Sequence, residues 1–133
     1  MRMENRIKDE DMLRRSDSPA VTVLNMTSDR IFVRSLEAVS KGIGFGVEYG
    51  GCSFWEDLDE YERTYIPYFD GVLFGLHDDE ETVLSFEEFY YYLKIVCEEY
   101  CDEYPEERAK VMELLETYRK RFHLTGNVTK EKK

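Results

Sequence analysis

The chain has 133 residues, of which 29 are Asp or Glu and 18 are Lys or Arg, so its formal net charge is −11. A chain of this length forms one domain with a single sizeable core, and ten Tyr and eight Phe supply large side chains to fill it. No run of about 18 uncharged apolar residues is present to span a membrane, and Met1–Arg6 lacks the apolar stretch of a secretory signal. We therefore expect a cytoplasmic protein that does not contact a membrane.

The negative charge is concentrated in the body of the chain. Residues 16–118 hold 24 Asp or Glu against 7 Lys or Arg, whereas both ends are basic. Such a body repels nucleic acid, because affinity for nucleic acid depends largely on cations that meet phosphates. It attracts a basic protein and steers that protein in from solution. The alternative is that the acidic surface serves only solubility.

The N-terminal part of the chain predicts a tail followed by one helix. Residues 1–18 are charged, aperiodic and poor in large apolar groups, so we expect a disordered tail outside the fold. The segment 19–24 predicts either a short strand or only the chain that leads into the next element. A helix then begins at one of the N-cap residues at 27–29 and ends at Lys41–Gly42, a basic residue followed by glycine.

A glycine-rich stretch follows at 42–51. It is a poor phosphate-binding loop, because no buried strand precedes it, no helix follows it and no Gly-Lys-Ser/Thr is present. The alternation of apolar with small or charged residues over 45–49 predicts a twisted strand instead. Gly50–Gly51 predicts the hairpin turn, and residues 52–55 predict the returning strand.

Two acidic segments flank the next predicted strand. Residues 56–62 hold five carboxylates and continue into a predicted loop that ends at Tyr68. Residues 72–77 predict a strand, 78–80 a tight acidic turn, and 81–84 a short returning strand. These strands predict an antiparallel meander.

The longest predicted helix runs from Ser85 to about Tyr104. It opens with Ser85-x-x-Glu88, the spacing of a capping box, and its apolar side chains recur every three or four residues on one face. It ends before Pro105, because the residue that precedes a proline is pushed out of helical geometry. Pro105 also suits the first turn of a second helix, which stops around His123.

These elements predict the α+β fold class. A small antiparallel β-sheet of three to four strands is expected to pack against two to three α-helices. We expect a single domain at residues 19–124, between the charged tail at 1–18 and a basic tail at 125–133.

The cysteine and histidine residues do not form a recognisable metal site. Cys52, Cys97 and Cys101 are odd in number and have neither disulfide nor zinc-ligand spacing, so we expect buried free thiols. His77 and His123 are the only imidazoles, and neither has a cysteine at ligand spacing. We expect no metal, no cofactor and no small-molecule substrate.

His77 is the only attractive general base. It lies at the end of a predicted strand beside Asp78 and Asp79, so one alternative hypothesis is a small hydrolase that uses these three residues. The simpler interpretation is a histidine beside a turn. Acid pairs such as Asp57 with Asp59 lack the glycine and glutamate register of an EF-hand loop. We therefore expect a protein that is not an enzyme.

Carboxylates interleaved with aromatic residues favour a protein-binding surface instead. Aromatic anchors supply affinity there, and the surrounding charges supply association rate and selectivity. The alternatives are a solvated loop that covers the sheet edge, or an adaptor for another basic protein. The predicted anchors are Trp55, Tyr61 and Tyr65, and the predicted steering residues are Glu56, Asp57, Asp59, Glu60 and Glu62, joined by Asp78 and Asp79 if the sheet brings the two segments together.

A succession of short stretches resembles a known family. The stretches are Gly44–Glu48, Gly51–Phe54, Phe69–Val72, Val83–Phe89 leading into Tyr92–Cys97, and Tyr104–Glu106. Together they are similar to the immunity proteins that neutralise ribonuclease toxins of bacterial contact-dependent growth inhibition (CDI) systems. The resemblance covers roughly residues 28–118.

This resemblance implies a cytoplasmic non-enzyme. Such a protein binds one toxin domain delivered by a neighbouring cell and occludes its active site before RNA can enter. Ribonuclease domains are commonly basic where RNA binds, so an acidic protein can occupy that surface. The resemblance implies no binding map, because immunity surfaces must differ between cognate pairs.

Overall fold

A computed structural model describes residues 6–125 of the chain. Within this range the fold is α+β, as the sequence predicts, with five α-helices rather than two to three. The helices are α1 (Ser18–Met26), α2 (Asp29–Ser40), α3 (Glu60–Tyr65), α4 (Phe86–Glu103) and α5 (Arg108–Arg121). The strands are β1 (Gly46–Val47), β2 (Gly50–Phe54), β3 (Val72–Leu76) and β4 (Glu81–Leu84).

Helix α4 is the central helix of the core. Its predicted capping box is confirmed, because the Ser85 hydroxyl accepts from the Glu88 backbone N–H at 3.1 Å and the Glu88 carboxylate accepts from the Ser85 N–H at 2.9 Å. Helix α5 packs against both α4 and α2. The apolar face that its spacing predicts is buried at Phe89, Leu93, Val96, Cys97, Tyr100 and Cys101, and Tyr92, which the predicted face omits, is buried as well.

The four strands form one antiparallel sheet in the order β1-β2-β3-β4. Alternate side chains of the sheet point into the core, where α1 contacts the three longer strands. The buried members of this inner face are Cys52, Phe54, Val72, Phe74 and Leu84.

The hairpin turn between β1 and β2 lies at Glu48–Tyr49, so the predicted turn at Gly50–Gly51 is wrong. Both glycines belong to β2. A Cβ atom at Gly50 would lie 2.4 Å from the Gly75 carbonyl oxygen, and one at Gly51 would lie 2.7 Å from the Phe45 carbonyl oxygen. The glycines therefore permit close approach of neighbouring strands rather than a turn.

The segment 19–24 belongs to helix α1, so neither a strand nor a simple connection is correct. Pro19 lies in the first turn of α1, where its missing N–H costs no hydrogen bond. Ala20, Val23 and Leu24 are buried in the core. The stretch reads as a strand because β-branched residues are frequent in it, and tertiary burial overrides that propensity.

Residues 6–17, which the sequence assigns to a tail, pack against the domain, so the tail prediction is wrong for residues 6–18. The Arg6 guanidinium is buried over the stacked rings of Phe32 and Tyr100, 4.9 Å and 5.4 Å from their centroids. It donates to the Thr27 carbonyl oxygen at 3.0 Å and pairs with the carboxylate of Asp29. Two of the charges that suggest a solvated tail, Arg6 and Asp17, are thus held inside the fold.

A second set of contacts holds residues 6–17, here called the N-terminal arm, to α4. The Tyr92 hydroxyl donates to the buried Asp17 carboxylate at 2.6 Å and accepts from the Leu13 backbone N–H at 2.8 Å. The Tyr91 hydroxyl donates to the Asp11 carbonyl oxygen at 2.6 Å. At the other end of the chain, the tail is predicted at residues 125–133. Thr125 donates to the Glu87 carboxylate from its backbone N–H at 2.9 Å, and residues 126–133 lie outside the described residues.

Candidate partner-binding surface

The acidic segment that the sequence places in a loop contains a short helix. A single 3₁₀ turn at Trp55–Asp57 leads into α3. The Asp59 carboxylate accepts from the Glu62 N–H at 2.7 Å, and the Glu62 carboxylate accepts from the Asp59 N–H at 3.0 Å. These two acids form a capping box that starts α3, so the loop prediction is wrong here.

Two further carboxylates of the segment also have structural partners. Asp57 accepts from the Gly44 backbone N–H at 2.8 Å, and Glu56 lies 3.5 Å from the Arg63 guanidinium. In the part of the chain that the structure describes, Glu60 forms no hydrogen bond or ion pair. All of these carboxylates except that of Glu62 belong to exposed residues, so the segment keeps its negative potential while it holds its own backbone.

Trp55, predicted as an anchor, packs mainly within the protein. Its ring meets Tyr68 edge-on at 5.1 Å and Phe69 at 5.5 Å between centroids. The Arg63 guanidinium lies 5.4 Å from the Trp55 ring centroid and donates to the Trp55 carbonyl oxygen at 3.0 Å. Trp55 therefore fixes the loop that follows α3, and its role as an anchor stays a prediction.

Tyr61 and Tyr65 project from α3 into solvent. Tyr61 is 74% exposed and Tyr65 is 62% exposed, and their rings contact each other at 5.4 Å between centroids. Tyr68, which the sequence-based set of site residues omits, is 69% exposed in the following loop. In the sequence, Tyr68 precedes Phe69-Asp70-Gly71 and suggests only a connecting loop. Its exposure in the structure is what identifies it as a surface aromatic residue.

Asp78 and Asp79 lie in the turn between β3 and β4. The segment 55–71 joins β3 at Val72, so the two acidic segments leave β3 at opposite ends, about 13 Å apart along the strand. Residues 65–69 nevertheless run back beside β3 and β4. Together with Glu81, they line an open groove of about 550 Å³. The structure therefore brings Tyr65 near the end of the second acidic segment rather than near Asp78 and Asp79 themselves.

The hydrolase hypothesis has no geometric support. His77 is exposed, and its backbone N–H donates to the Tyr49 carbonyl oxygen at 2.8 Å. Within residues 6–125, no hydrogen bond or ion pair joins the His77 ring to Asp78 or Asp79. Asp78 instead accepts from the Glu80 backbone N–H at 3.1 Å, an arrangement that closes the turn.

Cys52, Cys97 and Cys101 are buried free thiols, as the sequence predicts. Burial raises the pKa of the Cys52 thiol to about 12 and also raises those of Cys97 and Cys101, so none is a ready nucleophile or metal ligand. Among residues 6–125, the structure contains no group of three or more His, Cys, Asp or Glu side chains placed to hold a metal ion. No helix in that range has the length and apolar character needed to cross a membrane.

A second cleft of about 410 Å³ lies at the other side of Trp55. Its floor is a stack of Phe54, Phe86 and Phe122, in which Phe86 and Phe122 are 4.2 Å apart between centroids. Two basic residues, Lys41 and Arg121, line this cleft together with the acids Glu56 and Asp70. The cleft is therefore less complementary to a cation than the groove beside β4.

Comparison with known proteins assigns the family. A family model described as "CDI immunity protein" matches residues 10–115, which is well over half of the chain. No curated protein matches the chain. The match begins inside the N-terminal arm and extends through most of α5, so it covers the sheet, α3 and the groove. The chain therefore belongs to the CDI immunity protein family, and it is an antitoxin that neutralises a toxin.

Proposed function

We propose that this immunity protein binds a ribonuclease toxin domain one to one in the cytoplasm and prevents RNA from reaching the toxin's active site. Family membership supplies the class of partner, the sequence resemblance suggests a ribonuclease toxin, and the acidic charge supports a toxin that binds nucleic acid. The observation that carries the proposal is the excess of acid, 24 Asp or Glu against 7 Lys or Arg over residues 16–118. A ribonuclease must attract a polyanion, so an acidic protein can occupy the same basic surface.

The geometry of α3 supports this mode of inhibition. Tyr61 and Tyr65 offer aromatic surface to a partner, and Glu60 stands beside them. Aromatic groups that become buried at an interface contribute most of its affinity, while exposed charges raise the rate of encounter. No catalytic step is required of the immunity protein.

The direct test uses the protein encoded immediately upstream. Its C-terminal domain is purified, and its cleavage of RNA is followed while the immunity protein is added in steps. We expect cleavage to fall linearly and to stop at one equivalent. A domain that is toxic but leaves RNA intact would refute the ribonuclease assignment, and a bound toxin that still cleaves RNA would refute occlusion.

The contribution of charge is tested at Glu60. A Glu60→Lys variant changes the charge of the segment without removing a hydrogen bond, whereas Asp57 and Asp59 hold the backbone and are unsuitable for reversal. We expect association to slow about threefold to tenfold at low ionic strength and the difference to shrink in high salt. The matched control is Glu113→Lys on the exposed side of α5, which should associate as the wild type does.

A further inference from the structure

The outer face of the sheet carries an apolar surface that no step above has used. Side chains alternate along each strand, so Leu73 and Val83 point away from the core while Val72 and Leu84 point into it. Leu73 and Val83 are directly opposed across β3 and β4. Val83 is 42% exposed on β4, which lies at the edge of the sheet.

The loop that follows α3 turns this face into a groove. Residues 65–69 form one wall, and the β3–β4 pair forms the floor, which together enclose the open volume of about 550 Å³. Tyr65 and Tyr68 stand at the wall, 62% and 69% exposed. A volume of this size accommodates one or two long side chains from a partner.

The groove has a single ionisable carboxylate among its lining residues, that of Glu81. Glu81 faces the same side of the sheet as Val83, and a Cβ atom at Gly75 would lie 3.8 Å from its Cγ. That distance is ordinary van der Waals contact, so the Glu81 side chain packs over Gly75 along the floor. Across residues 6–125, no Lys or Arg side chain reaches the Glu81 carboxylate to form an ion pair.

This combination of groups fits one kind of side chain. Tyrosine faces attract a cation with a flat, weakly hydrated head, a carboxylate accepts its hydrogen bonds, and apolar walls receive its methylene stem. Arginine satisfies the first two conditions better than lysine, because its guanidinium stacks on rings and presents paired donors to a carboxylate, and its methylene stem meets the third. The acidic turn at 78–80 adds negative potential beside the groove.

We propose that the groove between residues 65–69 and the β3–β4 pair is the docking site for an arginine side chain of the toxin domain. This inference rests on the proposed function, since it takes the partner to be that basic domain. It assigns the anchoring role to Tyr65, Tyr68 and Val83. Trp55 then acts behind the wall, because its ring packs against Tyr68 and Phe69.

The first test measures binding of the toxin domain to single-site variants. Tyr65→Ala removes a wall, and Glu81→Gln removes the charge while it keeps the shape of the side chain. We expect Tyr65→Ala to weaken binding about 30-fold and Glu81→Gln to weaken it about tenfold. The matched controls are Tyr49→Ala at the β1–β2 turn and Glu113→Gln on α5, both expected within about threefold of wild type.

The second test identifies the partner group. Each arginine of the toxin domain is changed to alanine and measured with wild-type and Glu81→Gln protein in a double-mutant cycle. For one of these arginines, the change to alanine should weaken binding to the wild-type protein about tenfold. The same change should weaken binding to Glu81→Gln much less, because the paired carboxylate is already gone. Urea midpoints of the variants should match the wild type, since Tyr65 and Glu81 are exposed.

The outcomes separate this inference from the proposed function. If the wild type binds and inhibits the toxin but Tyr65→Ala and Glu81→Gln bind equally well, the groove is not the docking site, and the proposed function stands. If the groove variants weaken binding but no toxin arginine couples to Glu81, the occupant is not arginine and the proposal is overturned. If the wild type neither binds nor inhibits the toxin domain, the proposed function fails and takes this inference with it.

Discussion

The hydroxyl of Tyr92 offers the sharpest test of the N-terminal arm. Tyr92→Phe keeps the ring in the core and deletes one oxygen, which bonds the buried Asp17 carboxylate and the Leu13 N–H. A hydrogen bond to a charged group contributes about 1.5–3 kcal/mol, and an N–H left without a partner adds about 1 kcal/mol. The expected loss is therefore about 3 kcal/mol, a large share of the stability of a small domain.

Urea unfolding measures this loss as a midpoint about 1–2 M below that of the wild type, with an unchanged slope. Limited proteolysis should show faster cleavage within residues 8–16, because the arm has lost its attachment to α4. The matched control is Tyr61→Phe, the same chemical change on a side chain that is 74% exposed, with an expected effect within about 0.5 kcal/mol. A Tyr92→Phe protein as stable as the control would refute the packing of the arm described above.

Three further changes test other parts of the fold. Gly71 has a φ of 125°, and a Cβ atom there would lie 2.1 Å from the Leu84 carbonyl oxygen. Gly71→Ala should therefore lower the free energy of unfolding by more than about 2 kcal/mol in urea. The control is Gly46→Ala, where the nearest atom lies 3.8 Å from the added Cβ and the expected loss is about 1 kcal/mol or less. Ser85→Ala removes half of the α4 capping box and should cost about 1 kcal/mol by the same measurement. An unchanged urea midpoint would contradict a stabilising role for this cap. Burial raises the pKa of Cys52 from 9.0 to about 12, so between these pH values the unfolded state loses the thiol proton and the folded state keeps it. The free energy of unfolding should therefore fall as the pH rises from about 9 towards 12. A flat stability profile over that window would contradict the burial of this thiol.

Local signals in the sequence suffice for the central part of the fold. The capping box at Ser85 and the helical spacing that follows it define α4, and alternation defines β3 and β4, because each of these patterns is complete within a few neighbouring residues. The N-terminal arm has no such pattern. Arg6 is buried by partners 21 and 23 positions away, so its burial depends on tertiary structure that the local sequence does not reveal.

One missed element was within reach of the same reasoning. Asp59-x-x-Glu62 has the spacing of Ser85-x-x-Glu88, and both form capping boxes in the structure. The density of carboxylates around Asp59 hides this spacing, because five acids within seven residues suggest a solvated loop. Composition also fails to separate Trp55, which packs inside, from Tyr65, which faces solvent, since both are aromatic residues in an acidic context.

The capping box of α3 separates the acidic segment into residues that hold the helix in place and residues that only project from it. Asp59 and Glu62 hold the helix in place, so a change at either alters shape and charge together. Glu60, Tyr61 and Tyr65 project from the helix without holding it, and the two rings contact each other edge-on at 5.4 Å between centroids. If α3 contacts the toxin as we propose, new toxin specificities are expected to arise by exchange at these three positions while the scaffold persists, and the two tyrosines are expected to change as a pair.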